Sequence, residues 1–150
     1  MTSSPASLPE PLQALAALWL KAGVALGGLS DAQRRLALAL VWAGLPGAPM
    51  SERDVNAALK ARLAGAANFL GTDHVELRRW LVDAGWLVRD GYGREYRRVD
   101  AAALPPALQP LAAAFAGIDT DALAAATRAS HAAERAARRR AWAGGQGAPG

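Results

Sequence analysis

Cysteine is absent from this 150-residue chain, which excludes disulfides, thiolate metal ligands and thiol nucleophiles together. A chain without them fits a reducing compartment, and the cytoplasm is the expected location. Histidine occurs only at His74 and His131. Neither has a cysteine or paired carboxylates at ligand spacing beside it, so no metal and no cofactor are expected. Lysine is confined to Lys21 and Lys60 against many arginines and alanines, a bias of composition rather than a sign of phosphate recognition. Long hydrophobic runs are missing too. The segment Leu36 to Leu45 is about half the roughly 20 residues that span a bilayer, and nothing basic precedes Leu12 to Leu20, so neither a membrane partner nor a secretory signal is expected. No internal repeat is present.

What is present is a modest positive charge, unevenly spread. The formal net charge is +4. Residues 72 to 100 are neutral, with as many arginines as acids, whereas residues 128 to 140 carry Arg128, Arg135, Arg138, Arg139 and Arg140 against Glu134 alone. Only such a distribution, not the total, marks an anionic partner. A chain of this length can bury about two-thirds of its unfolded surface and so suits one domain with a real core.

Along the chain, residues 1–7 are small and polar and are expected to be disordered. Leu8, Leu12, Leu15, Trp19, Ala22 and Leu26 recur at steps of three and four, which predicts a helix from about Pro9 that ends near Gly23 to Gly28. Ser30 with Gln33 makes a capping box for a helix over Asp31 to Ala43, apolar on every side from Leu36 onward and hence the centre of the core. Gly44 and Pro46 stop it, and the segment through Met50 is long enough for a connecting strand. Ser51 caps a third helix, about 52–63, with Val55, Leu59 and Leu63 on one face. Asp73, with Glu76 three residues on, opens a fourth over about 73–84, and Gly85 is placed for a left-handed C-terminal cap. Trp86 to Arg89 and Arg94 to Arg98 then read as a hairpin about Asp90, Gly91, Tyr92 and Gly93. Residues 8–100 thus form one domain. An Ala- and Arg-rich helical tail over 101–142 and a flexible end at 143–150 are expected to lie outside its core.

The fold class this predicts is mainly α: a winged helix-turn-helix-like domain with a two-stranded wing, to which the segment through Met50 can add a third strand. On a helical wheel Leu77, Trp80, Leu81 and Ala84 share the core face, and Trp80 is expected to be largely buried. The opposite face presents Val75, Arg78, Arg79 and Val82. Two arginines can meet phosphates or a guanine edge and a valine can meet a thymine methyl, so that face is competent for major-groove readout. In the wing, Arg89, Tyr92, Arg94, Arg97 and Arg98 suit the backbone or the minor groove. His74, at the edge of the core face, completes the candidate set. Arg138, Arg139 and Arg140 form a secondary basic patch. Asp73, Glu76 and Asp83 would repel phosphate, but acids near a helix start have an ordinary use in capping. No nucleophile, oxyanion site or phosphate loop accompanies His74, so no enzyme is expected.

The segments MSERDVNAALK, Met50 to Lys60, and DHVELRRWLVDAGWLVRDGYGREYRR, Asp73 to Arg98, resemble a bacterial family known as domain of unknown function two-zero-eight-seven. Glu52, Val55, Asn56, Asp73, His74, Leu77, Arg78, Arg79, Gly85, Arg94 and Tyr96 carry the resemblance. It implies a winged-helix fold of the kind found in, or fused to, small transcriptional regulators. Double-stranded DNA is therefore the expected partner. The alternative is a protein-interaction module in which the Val75 and Val82 face docks a regulatory protein and the tail mediates assembly with a second copy.

Overall fold

The computed structural model describes residues 9–92 and 94–147, without the side chains of 145–147. The expected disorder of 1–7 and the place of Leu8 on the first stripe lie outside those residues. The core is organised by α2 (Asp31–Ala43). Its start is fixed by the Ser30 hydroxyl, which accepts from the Gln33 amide, and by the Gln33 side chain, which accepts from the Ser30 amide. Each bond satisfies an otherwise orphaned first-turn donor. From Leu36 to Trp42 every residue is buried.

Around α2 the chain runs β1 (Met50–Ser51), α3 (Glu52–Ala64), α4 (His74–Asp83), β2 (Leu87–Arg89) and β3 (Glu95–Arg98). The strands pair antiparallel in the order β1-β3-β2. This is a mainly helical, winged-helix-like arrangement in which β1 supplies the third strand. On α3, Val55 and Leu59 are fully buried, but the next buried position is Arg62, with Leu63 only half-buried. The inward stripe continues by three residues rather than four.

Before α2, the helix α1 (Glu10–Trp19) is shorter than its apolar stripe predicts. The chain leaves it at Leu20, turns at Gly23 with φ +66°, and makes a parallel bridge to the α3–α4 connection. There the Val24 amide donates to the Phe69 carbonyl at 2.9 Å and the Gly71 amide to the Val24 carbonyl at 2.8 Å. A Cβ at Gly71 would lie 2.8 Å from the Gly23 carbonyl carbon, so only glycine admits this approach. Leu26 still reaches the core, from a short 3-10 turn (Leu26–Gly28) rather than from the helix. Tertiary hydrogen bonds here displace the last turn that local periodicity favours.

The stretch after Asp100 is not outside the core. A 3-10 turn (Ala101–Ala103), α5 (Gln109–Ala114) and α6 (Thr120–Gly147) follow, and Leu104, Leu108, Ala112, Phe115 and Ala124 are buried in the common cluster. The reason is chemical as well as hydrophobic. The buried Arg62 guanidinium donates through Nη2 to the Leu40 carbonyl at 2.7 Å and to the Thr120 hydroxyl at 2.9 Å. Asp121 accepts from the Ala66 amide at 2.8 Å and lies 3.5 Å from Arg62. The start of α6 is thereby bolted to α3 and to the turn that follows it. Burial pushes the Arg62 pKa down, and Asp121 and Asp119 partly offset this. Gly44 makes room for the group, since a Cβ there would fall 2.2 Å from the guanidinium carbon. Residues 143–147, expected to be flexible, continue α6 as helix. No helix among the described residues is long and apolar enough to cross a membrane.

Candidate nucleic-acid interface

The candidate surface is built from α4 and the hairpin, and local chemistry sets both. The Asp73 carboxylate accepts from the Glu76 amide at 2.8 Å and caps α4. Glu76 does not complete a box with Asp73; its carboxylate accepts from the Thr72 hydroxyl at 2.7 Å. At the other end Gly85 takes φ +90°. The Gly85 amide donates to the Val82 carbonyl at 3.2 Å and the Trp86 amide to the Leu81 carbonyl at 2.9 Å, the paired bonds of a glycine-terminated helix. The chain thus turns from helix to strand across Ala84, Gly85 and Trp86. At the hairpin tip, the Asp90 carboxylate accepts from the Tyr92 and Arg94 amides at 3.1 and 2.9 Å, which holds the turn without a second element.

The helix does not bury the tryptophan assigned to it. Leu77 and Leu81 are fully buried, but Trp80 is only half-buried, with the Arg34 guanidinium 4.9 Å from its ring centre. The aromatic at the heart of the core is Trp86, just past the cap, tilted against Trp42 at 5.5 Å between centroids. Trp80 lies at the margin of the inward stripe, packed against the core cluster and covered by Arg34 of α2.

Between the outer face of α4 and the wing lies an open groove of about 670 Å³, lined by Val75, Arg79, Val82, Leu87 and Arg89 among others. The strand register divides the wing arginines. Arg89 pairs with Tyr96 and shares the groove face, whereas Arg97 pairs with Val88 and points to the opposite face, 3.9 Å from Glu95. Arg79 and Arg89 are exposed and have no carboxylate partner among the described residues. Val75 is exposed beside them, Val88 is exposed on the opposite face with Arg97, and Tyr92 at the tip is 86% exposed. Arg94 is exposed just before β3, and His74 is half-buried at the first turn of α4. Asp83 and Asp90 also line the groove.

Two of the expected contact residues are committed elsewhere. Arg78 donates to the Asn56 side-chain oxygen, sits 3.4 Å from Glu52 and covers the Tyr96 ring at 5.3 Å. Glu52, Asn56, Arg78 and Tyr96, all among the residues that carry the family resemblance, therefore lock α3, α4 and β3 together. Arg98 donates to the Leu45 carbonyl at 3.1 Å and stacks on Trp42 at 3.9 Å. Burial lowers its pKa, with Asp100 acting in the opposite sense. Both side chains fix the wing against the helices; Arg78 also lines the groove, but with its guanidinium engaged by Asn56, Glu52 and Tyr96. Arg138, Arg139 and Arg140 are exposed on α6, which packs along α1 and not over the groove. Sequence reasoning missed Glu52 and Asn56 as the partners of Arg78; their spacing of four on α3 puts them on one helix face and was the available signal. Arg62 was missed as well, although Val55, Leu59 and Arg62 follow helical spacing.

Among the described residues no cluster of His, Cys, Asp or Glu could hold a metal ion. Residues 30–98 match the model of a family described as an uncharacterized protein conserved in bacteria (DUF2087), the family the sequence resembles. No curated protein and no solved structure matches the chain.

Proposed function

We propose that this protein binds double-stranded DNA without catalysing a reaction, as a transcriptional regulator or an accessory module of one. The observation that carries this is the groove itself: Arg79 on α4 and Arg89 on β2 both line it with no carboxylate partner among the described residues, beside the exposed Val75. An α-helix fits the major groove, and a guanidinium with a nearby methyl-bearing side chain is suited to a guanine edge and a thymine methyl. Arg79 and Val75 would then read bases, Arg89 and Arg94 would meet phosphates, and Tyr92 would lie along the backbone or minor groove. The scaffolding roles of Arg78 and Arg98 remove them from this set.

The test is duplex binding across a salt series. Each phosphate contact contributes about 1 to the slope of log affinity against log salt, so Arg89→Ala should reduce that slope by about 1 for every sequence alike. Arg79→Ala should cost about 1–3 kcal/mol at a preferred sequence and relax discrimination at one position. Absence of duplex binding at low salt, or variants indistinguishable from wild type, would overturn the proposal. A second reading is favoured by Val75, at 42% exposure, and Val82, which line the groove with Asp83 and Asp90: a docking face for a regulatory protein. Binding that is insensitive to salt and lost in Val75→Asp would select it.

A further inference from the structure

A second concave site, with no lining residue in common with the groove, lies between the C-terminal end of α1 and the middle of α6. It is a cleft of about 380 Å³ whose charged lining residues are Lys21, Arg128 and Arg135, with His131 between them and no carboxylate among the lining. Arg128 is held in place: its Nε donates to the Trp19 carbonyl at 3.1 Å and its Nη2 to the Asn68 side-chain oxygen. Both acceptors are neutral, so the guanidinium charge is not cancelled. Lys21, His131 and Arg135 make no ion pair among the described residues. Glu134 lines an adjoining depression, which shares Leu20 and His131 with the cleft but none of its three permanent cations. The remaining walls are apolar, from Trp19, Leu20 and Ala132, and Leu20 is 47% exposed.

Lys21 comes from the segment that follows α1, and Arg128 and Arg135 from α6, so an anion seated between them would relieve their mutual repulsion. A cleft with three permanent cations, no acid and an apolar wall has the composition of a site for a small anion that carries an apolar body. We infer that this cleft binds a small organic phosphate or carboxylate, its anionic group held by Lys21, Arg128 and Arg135 and its apolar part lying against Leu20 and Ala132. Asn68, which Arg128 holds, belongs to the connection that leads into α4, so the ligand would sit on the brace that sets the position of that helix. The site stands independently of duplex binding by the groove, which shares no residue with it.

The experiment is a titration of the full chain with 1-naphthyl phosphate, followed by backbone and side-chain amide resonances. Saturable shifts are expected at Lys21, Asn68, His131 and Ala132. The double variant Lys21→Ala with Arg135→Ala, both at exposed positions, should keep its melting temperature and weaken binding by roughly tenfold or more, as loss of two charge-assisted contacts would. Neutral 1-naphthol should bind far more weakly than the phosphate. A short duplex added in place of the naphthyl compound separates a backbone-phosphate surface from a small-anion site: shifts at these residues with the duplex alone would overturn the inference. Unsaturable shifts, equal binding of naphthol and naphthyl phosphate, or undiminished affinity in the double variant would do so too.

Discussion

Replacement of Arg62 by alanine should be among the most damaging single changes in the chain, and its cost can be worked from the contacts. The side chain is 8% exposed and its Nη2 makes two hydrogen bonds, to the Leu40 carbonyl and the Thr120 hydroxyl. Hydrogen bonds from a charged donor contribute about 1.5–3 kcal/mol each. Part of that is offset because the variant no longer buries a charge, the same burial that pushes the Arg62 pKa down. A net loss of about 3 kcal/mol follows, or roughly 6–12 °C in Tm for a chain of this size. The ion pair with Asp121 should matter much less, since that carboxylate is 62% exposed and 3.5 Å away, and exposed pairs contribute about 0–1 kcal/mol. Asp121→Asn, which keeps an oxygen for the Ala66 amide, should therefore cost under about 1 kcal/mol. Urea denaturation of the two single variants and the double variant measures both terms. Arg62→Ala within about 1 kcal/mol of wild type, or Asp121→Asn as damaging as Arg62→Ala, would refute the claim that hydrogen bonds to the buried guanidinium join α6 to the domain.

Three further outcomes are expected. Trp86→Ala should cost about 3–5 kcal/mol as a large cavity in the core, while Trp80→Ala, at a half-buried ring, should cost clearly less; the reverse order in chemical denaturation would contradict the packing. Gly85→Ala should lose about 1–2 kcal/mol because φ is +90°, and an unchanged Tm would reject the helix cap. Arg78→Ala should lower stability by about 2 kcal/mol by releasing Asn56 and Tyr96 without altering the salt dependence of duplex binding; a stable variant with a shallower salt slope would return Arg78 to the contact surface.

What the sequence makes legible is what is decided locally. The Ser30 cap, the stop at Gly44, the left-handed Gly85 and the Asp90 turn depend on residues within a few positions of one another, and the structure forms all four. The three-stranded alternative also holds, through pairing of Met50 with Tyr96. The end of α1 was not legible because the competing bonds come from Phe69 and Gly71, far along the chain. The half-burial of Trp80 escapes a helical wheel for a related reason: the wheel orders residues by angle, whereas the central aromatic, Trp86, gains its burial after the cap, against Trp42. The candidate site was readable as a face but not as a set of free charges. Whether an arginine is available depends on partners 22 residues away for Arg78 and 53 away for Arg98, and no local pattern reports them. The alanine-rich stretch beyond Asp100 looked too poor in large side chains for a core element, yet Leu104, Leu108 and Phe115, with the polar contacts of Thr120 and Asp121, suffice to dock it.

Selection of bound duplexes from a random pool by the intact protein tests the central claim most directly. The groove between α4 and the wing predicts enrichment of a short motif, with Arg79→Ala losing preference at one position of it and Arg89→Ala binding the same motif more weakly. A pool that returns without enrichment, together with no retention of any duplex at low salt, would contradict DNA recognition by this surface.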